Sequence, residues 1–144
     1  YANMVKNGGF EALEKLSAEA KKYIAPLPID YEPDEEAAGM FGLMMMTSGK
    51  HTDPENVAKA QALKDATMGW FIAQNLKSKF VHLNGNYHSD FKKGIITYLN
   101  KYRPGLKIAT VCSVRQDDIK KLGEENEGRA DFYICVPTDM TMTY

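Results

Sequence analysis

The sequence predicts an α/β fold. Three helices come first, followed by the order β-α-β-α-β, which makes a partial parallel sheet with flanking helices. Two observations predict it. Apolar residues recur at helical spacing through Leu13, Leu16, Ala20 and Ile24, and a long helix is signalled after Asp53-Pro54. Beyond Lys77 the period shortens, and runs rich in β-branched and aromatic residues alternate with helical ones, the pattern of strands joined by right-handed crossovers.

The first helix is expected from Phe10 to Ile24, opened by Gly8-Gly9 and stopped by Pro26 and Pro28. A second is expected from Asp34 to Met46, with three acids at its positive end and Ser48-Gly49 after it. The third begins at Pro54, with Asp53 as its N-cap, and runs to about Lys77. Its second half, Ala66 to Ala73, is apolar on nearly all sides and belongs in a core. Phe80-Val81-His82-Leu83 reads as a buried strand, with His82 on a sheet face or in the core. A fourth helix starts at Ser89 or Asp90, carries Phe91, Ile95, Tyr98, Leu99 and Tyr102 on one face, and closes at Pro104-Gly105. Leu106 to Val114 is the second strand, Asp117 to Leu122 a short helix, Glu124 to Arg129 a charged solvated turn, and Asp131 to Val136 the third strand. Three parallel strands make a thin sheet with exposed main-chain edges. Part of the sheet is therefore expected to be missing from this chain or supplied by another.

The bulk composition narrows the function classes. With 44% hydrophobic and 26% charged residues the chain is an ordinary globular sequence. A net charge of -1 gives no basic field for nucleic acid. No apolar run approaches the roughly 20 residues that cross a bilayer. Cys112 and Cys135 both fall in predicted strands and read as small buried hydrophobes, with a cross-strand disulfide as the weaker alternative.

Parallel sheets present ligands beyond the C-terminal ends of their strands. The first predicted strand ends at Asn84, and Gly85-Asn86-Tyr87-His88 follows before the next helix. Gly85 permits a tight exit turn. A place beside a helix N-terminus favours the uncharged imidazole of His88, the form that binds a metal or haem iron. The phenol of Tyr87 can ligate ferric haem as phenolate. The plainer alternative is that His88 only caps the helix or bonds within the loop. In the third helix Gln61 and Asp65 share one face, and the acid needs a partner or water. It either forms an ion pair, sits on an exposed rim, or borders a pocket under His88. The run Met44-Met45-Met46, with Met40 and Phe41 before it, suits a flat apolar ligand but equally a core or an oligomer contact. His51, after that run, reads by itself as a surface histidine.

These segments resemble a known family. Gly85 to Ile95 is similar to the second Gly-x-x-His motif of the ChaN-like haem-binding lipoproteins, with Gly94 in the place of the glycine six residues beyond the histidine. Gln61-Ala62-Leu63-Lys64-Asp65-Ala66-Thr67-Met68 resembles that family's Gln-x-x-Arg-Asp-Ala-x-Met helix, with Lys64 for arginine. Gly49-Lys50-His51 resembles a Gly-His step before it, and Ala130-Asp131-Phe132-Tyr133 an Ala-Asp-aromatic strand. The resemblance runs from about Gly49 to Val136.

The resemblance implies an α/β fold of the wider Tiki and erythromycin-esterase-like superfamily. It also implies haem as cofactor, a part in bacterial haem or iron uptake, and a place in the cell envelope, as an outer-membrane lipoprotein or in the periplasm. Haem would be held by His88, Tyr87, His51, Asn86, Gly85, Met45, Met46, Gln61 and Asp65, with His88 or Tyr87 on the iron. The first Gly-x-x-His motif, the glutamate-bearing strand and the lipobox cysteine of the family are not found. Residues 1–144 are therefore expected to form a single α/β domain that is the C-terminal portion of a larger one, working as a homodimer or with its N-terminal half. Membrane attachment would come only through a lipid anchor absent from this chain. Two other readings stand beside haem binding. One is a metal-assisted hydrolase of the same superfamily, keeping His88 and Asp65. The other is an interaction domain whose methionine run packs on a partner.

Overall fold

The computed structural model describes residues 1–33, 39, 42–43 and 52–141. The helix expected over Asp34–Met46 lies outside the described residues in all but three positions, and so do Met45, Met46 and His51. The protein is mixed helix and strand, and the chain divides into two compact units, Tyr1–Asn75 and Leu76–Tyr144.

The first unit opens with α1 (Ala2–Gly8), a 3-10 turn over Phe10–Lys15 and the single-turn α2 (Ala18–Lys21). One continuous helix over 10–24 is thus not what forms. Two local devices divide residues 2–24 into these pieces, Gly9 between α1 and the 3-10 turn and Leu16-Ser17 between that turn and α2. Gly9 adopts φ 65°, ψ -170°, a conformation open to glycine and little else. Leu16 and Ser17 are extended, and Ser17 Oγ accepts the Ala20 amide at 3.1 Å, a side-chain cap that starts a new helix instead of prolonging the old turn.

The long helix forms where Asp53 and Pro54 place it, as α3 (Pro54–Asn75). Asp53 Oδ1 accepts the Glu55 amide at 2.9 Å, and its carbonyl accepts Val57 N–H. Val57, Ala58, Ala60, Leu63, Ala66, Ile72 and Ala73 are buried along it, and α1 packs against it with Val5 fully enclosed. Alanine or glycine stands at five of its buried positions, 58, 60, 66, 69 and 73. Tyr31 rests on Val57 and Ala58 and meets Phe10 edge to face at 5.7 Å. Thr67 Oγ1 accepts the Ala25 amide at 3.2 Å, tying the 24–29 segment to α3.

The second unit holds α4 (Ile95–Tyr102) and the strands β1 (Val111–Arg115) and β2 (Phe132–Val136). The strands pair in parallel, Val111 opposite Phe132 through to Arg115 opposite Val136. Among the described residues the sheet has two strands, not three. Phe80–Leu83 joins no ladder, and Val81 and Leu83 are 83% and 89% exposed. Its composition suits a strand, but a strand exists only where a neighbouring edge takes up its backbone groups. His82 is accordingly exposed, not set on a sheet face.

One face of the pair, Cys112 and Val114, is buried. The other carries Val111, Phe132 and Ile134 into solvent. Both cysteines are free thiols, Cys112 buried and Cys135 half-buried.

The short helix expected over Asp117–Leu122 is replaced by a loop organised around Gln116. Its Nε2 donates to the carbonyls of Asp118 and Lys121, and its Oε1 accepts Gly123 N–H and Asn126 Nδ2. A buried amide side chain has taken the carbonyls a helix would need. A single 3-10 turn, Glu124–Asn126, follows.

Candidate functional site around Gly85–His88

The loop after Asn84 is built from two back-to-back 3-10 turns, Asn86–His88 and Asp90–Lys92. In the first, His88 N–H reaches the Gly85 carbonyl at 3.0 Å and Ser89 N–H the Asn86 carbonyl at 2.9 Å. Asn84 Nδ2 donates to Ser89 Oγ at 3.0 Å and closes the turn from outside. Asn86 Nδ2 donates to the Ser113 carbonyl at 2.8 Å, which fastens the loop to β1. Asn86 is thereby an anchor of the loop. Tyr87 is 41% exposed and His88 half-buried, with their rings edge to face at 5.4 Å.

The helix expected from Ser89 or Asp90 does not start there. Gly94 (φ 56°, ψ -119°) precedes α4, and Phe91 and Lys92 both have left-handed φ values, 56° and 57°. His88 therefore sits at the end of a turn, seven residues before Ile95, and no helix N-terminus lies next to it in sequence. Gly94, at the family's glycine position, takes a conformation that side chains disfavour. Ile95, Tyr98 and Leu99 give α4 its buried face as expected.

Two charge pairs hold the second turn. Asp90 Oδ2 accepts Arg129 Nε at 3.0 Å and Nη2 at 2.6 Å, while Arg129 Nη1 donates to Asn126 Oδ1 at 2.8 Å. The hydrogen bond to Asp90 raises the guanidinium's pKa still further. Cys112 Sγ lies 3.5 Å from Asp90 Oδ1, and burial first, then the Asp90 charge, pushes that thiol's pKa up, so it stays protonated. Two residues further on, Lys92 Nζ donates to Asp131 Oδ1 at 2.7 Å. Asp131 Oδ2 accepts the Thr110 amide at 2.8 Å and Oγ1 at 3.0 Å. The Lys92 bond, with the two from Thr110, holds the Asp131 carboxyl down to about 2. Between the pairs, Phe91 N–H donates to the Arg129 carbonyl at 2.8 Å.

The turn over 90–92 is thus clamped to 129–131 by Asp90–Arg129, Phe91–Arg129 and Lys92–Asp131. Arg129, expected in a solvated turn, is a partner of the motif's own loop. The signal for it was an acid-x-base segment at 90–92 and a base-x-acid segment at 129–131. Each spacing matches the other, but that is legible only once the segments lie side by side.

Gln61 and Asp65 belong to the first unit, on α3. Lys64 Nζ donates to Gln61 Oε1 at 2.9 Å. Asp65 is 4% exposed, which overturns the rim position considered for it. Among the described residues no group of three histidine, cysteine or acidic side chains is placed to hold a metal ion. Among them, too, no helix is long and apolar enough to cross a membrane.

A parallel strand pair with a helix, and a Gly-x-x-His loop fastened to a strand, define an α/β protein with a motif loop. The chain belongs to the family described as haem-binding uptake, Tiki superfamily, ChaN, whose model matches residues 1–99. The match includes α1 to α3, the first five residues of α4 and the whole of Gly85–His88. It starts well before Gly49 and leaves β1 and β2 outside. No curated protein and no solved structure matches the chain.

Proposed function

We propose that this protein binds haem at the Gly85–His88 loop, with the Tyr87 phenolate or the His88 imidazole on the iron. The single observation that carries the reading is that a loop of a haem-binding family displays a phenol and an imidazole side by side, on a tyrosine that is 41% exposed and the histidine next to it. A phenolate and a neutral imidazole are both ligands of haem iron. Gly85 and Asn86 shape and fasten that loop.

Haem is the ligand in a bacterial uptake route of the cell envelope. The binding form is a homodimer, or this chain joined to an N-terminal half. Either partner would cover the apolar face of Val111, Phe132 and Ile134, a face that parallel sheets ordinarily bury.

Haem titration followed by absorbance tests the ligand set. Tyr87→Phe or His88→Ala should shift the Soret band and weaken binding at least tenfold. An unchanged spectrum and affinity in Tyr87→Phe, His88→Ala and His51→Ala alike would remove all three as ligands. Sedimentation with and without haem tests the dimer.

A further inference from the structure

Phe91 is the most anomalous residue of the described chain. It is a bulky residue in the left-handed region (φ 56°, ψ 22°), followed by a second non-glycine residue, Lys92, in the same region. Such a conformation is unfavourable for any residue with a Cβ, and for an aromatic one it is a clear outlier. Nothing about packing explains the choice of phenylalanine, since the residue is 57% exposed. An exposed, strained position is where glycine or asparagine would be favoured on stability alone.

The surroundings enforce this geometry. Asp90 before it is bound by Arg129, Lys92 after it by Asp131, and its own N–H by the Arg129 carbonyl. Over-determined strain of this kind persists where a site uses it. Phe91 follows His88 by three residues, in the turn directly after the Tyr87-His88 turn.

We infer that Phe91 is a ligand-contact residue, an aromatic plate held outward against the face or edge of a porphyrin whose iron the preceding turn binds. This deepens the haem reading and rests on it. An aromatic ring gains large contact area with a flat conjugated ligand at small entropic cost. It does so whether or not a metal sits in the macrocycle, so the contribution of Phe91 is separable from that of an iron ligand.

The experiment uses the full chain and two probes, ferric protoporphyrin IX and metal-free protoporphyrin IX, titrated by absorbance and fluorescence. Phe91→Gly should leave the melting temperature unchanged or raise it by a few degrees, because it relieves the left-handed strain. It should nevertheless weaken both porphyrins about tenfold, and Phe91→Tyr should restore binding. His88→Ala and Tyr87→Phe should affect only the iron-containing probe. If the wild-type chain binds haem and Phe91→Gly binds both probes as tightly, the inference about Phe91 is wrong and the haem reading stands. If the wild-type chain binds neither probe, the haem reading itself fails.

Discussion

The clamp between the motif loop and the 129–131 segment can be tested by Arg129→Ala. The variant removes three side-chain hydrogen bonds, two of them to Asp90 Oδ2 and one to Asn126. The side chains of Arg129 and Asp90 are 24% and 15% exposed, so the pair is neither a solvated surface contact nor a fully buried one. Exposed pairs contribute about 0–1 kcal/mol, while removing one partner of a buried pair costs about 3–5 kcal/mol. Lying between these limits, Arg129→Ala should cost about 2 kcal/mol, roughly a thirtyfold rise in the opening equilibrium of the loop. Amide hydrogen exchange reads this directly, and the informative amide is Phe91, which donates to the Arg129 carbonyl. Exchange at 88–93 should accelerate by about that factor and keep its acceleration in ~0.5 M salt, since a half-enclosed pair is weakly screened. A double-mutant cycle with Asp90→Ala should give a coupling of at least about 1 kcal/mol. Additive single effects, or less than a twofold change in exchange, would refute the reasoning that this pair fastens the loop.

Other expectations follow from the same structure. Asp131 has its pKa lowered from 3.8 to about 2 in the folded protein, so its contribution is present above pH 4 and fades as the pH falls toward 2. The stability gap between wild type and Asp131→Asn should therefore be widest near neutrality and close by pH 2; a gap constant with pH would contradict this. Leu13 is completely enclosed, and Leu13→Ala should cost about 2–5 kcal/mol in urea unfolding of the first unit. Asp53→Ala removes the cap of α3 and should cost about 1 kcal/mol, with Asp53→Asn restoring most of it.

The fold was legible in the sequence where local signals suffice. Asp53-Pro54 fixed the start of α3, and the apolar spacing after Gly94 fixed the buried face of α4. α1 escaped notice because Gly8-Gly9 looks like a beginning, whereas Gly9 ends one element and starts the next. Phe80–Leu83 has the composition of a strand, yet pairing depends on a free edge that no local pattern reports. The start of α4 was misplaced because the left-handed turn at Phe91 and Lys92 is imposed by charges 39 residues away. For the same reason the Gly85–His88 loop could be read from its motif, and the loop's fastening could not. Asp65 reads in the sequence as an acid needing a partner or water, but its depth is visible only in the packed helix.

The family match ends at residue 99, ahead of Arg129 and Asp131. A recombinant version trimmed to the matched segment would carry every atom of the motif and none of the counter-charges that keep Phe91 in its unfavourable backbone state. Such a truncate should relax after Asp90, and a failure to take up haem by it would say nothing about the intact chain. Expression boundaries are better drawn beyond β2.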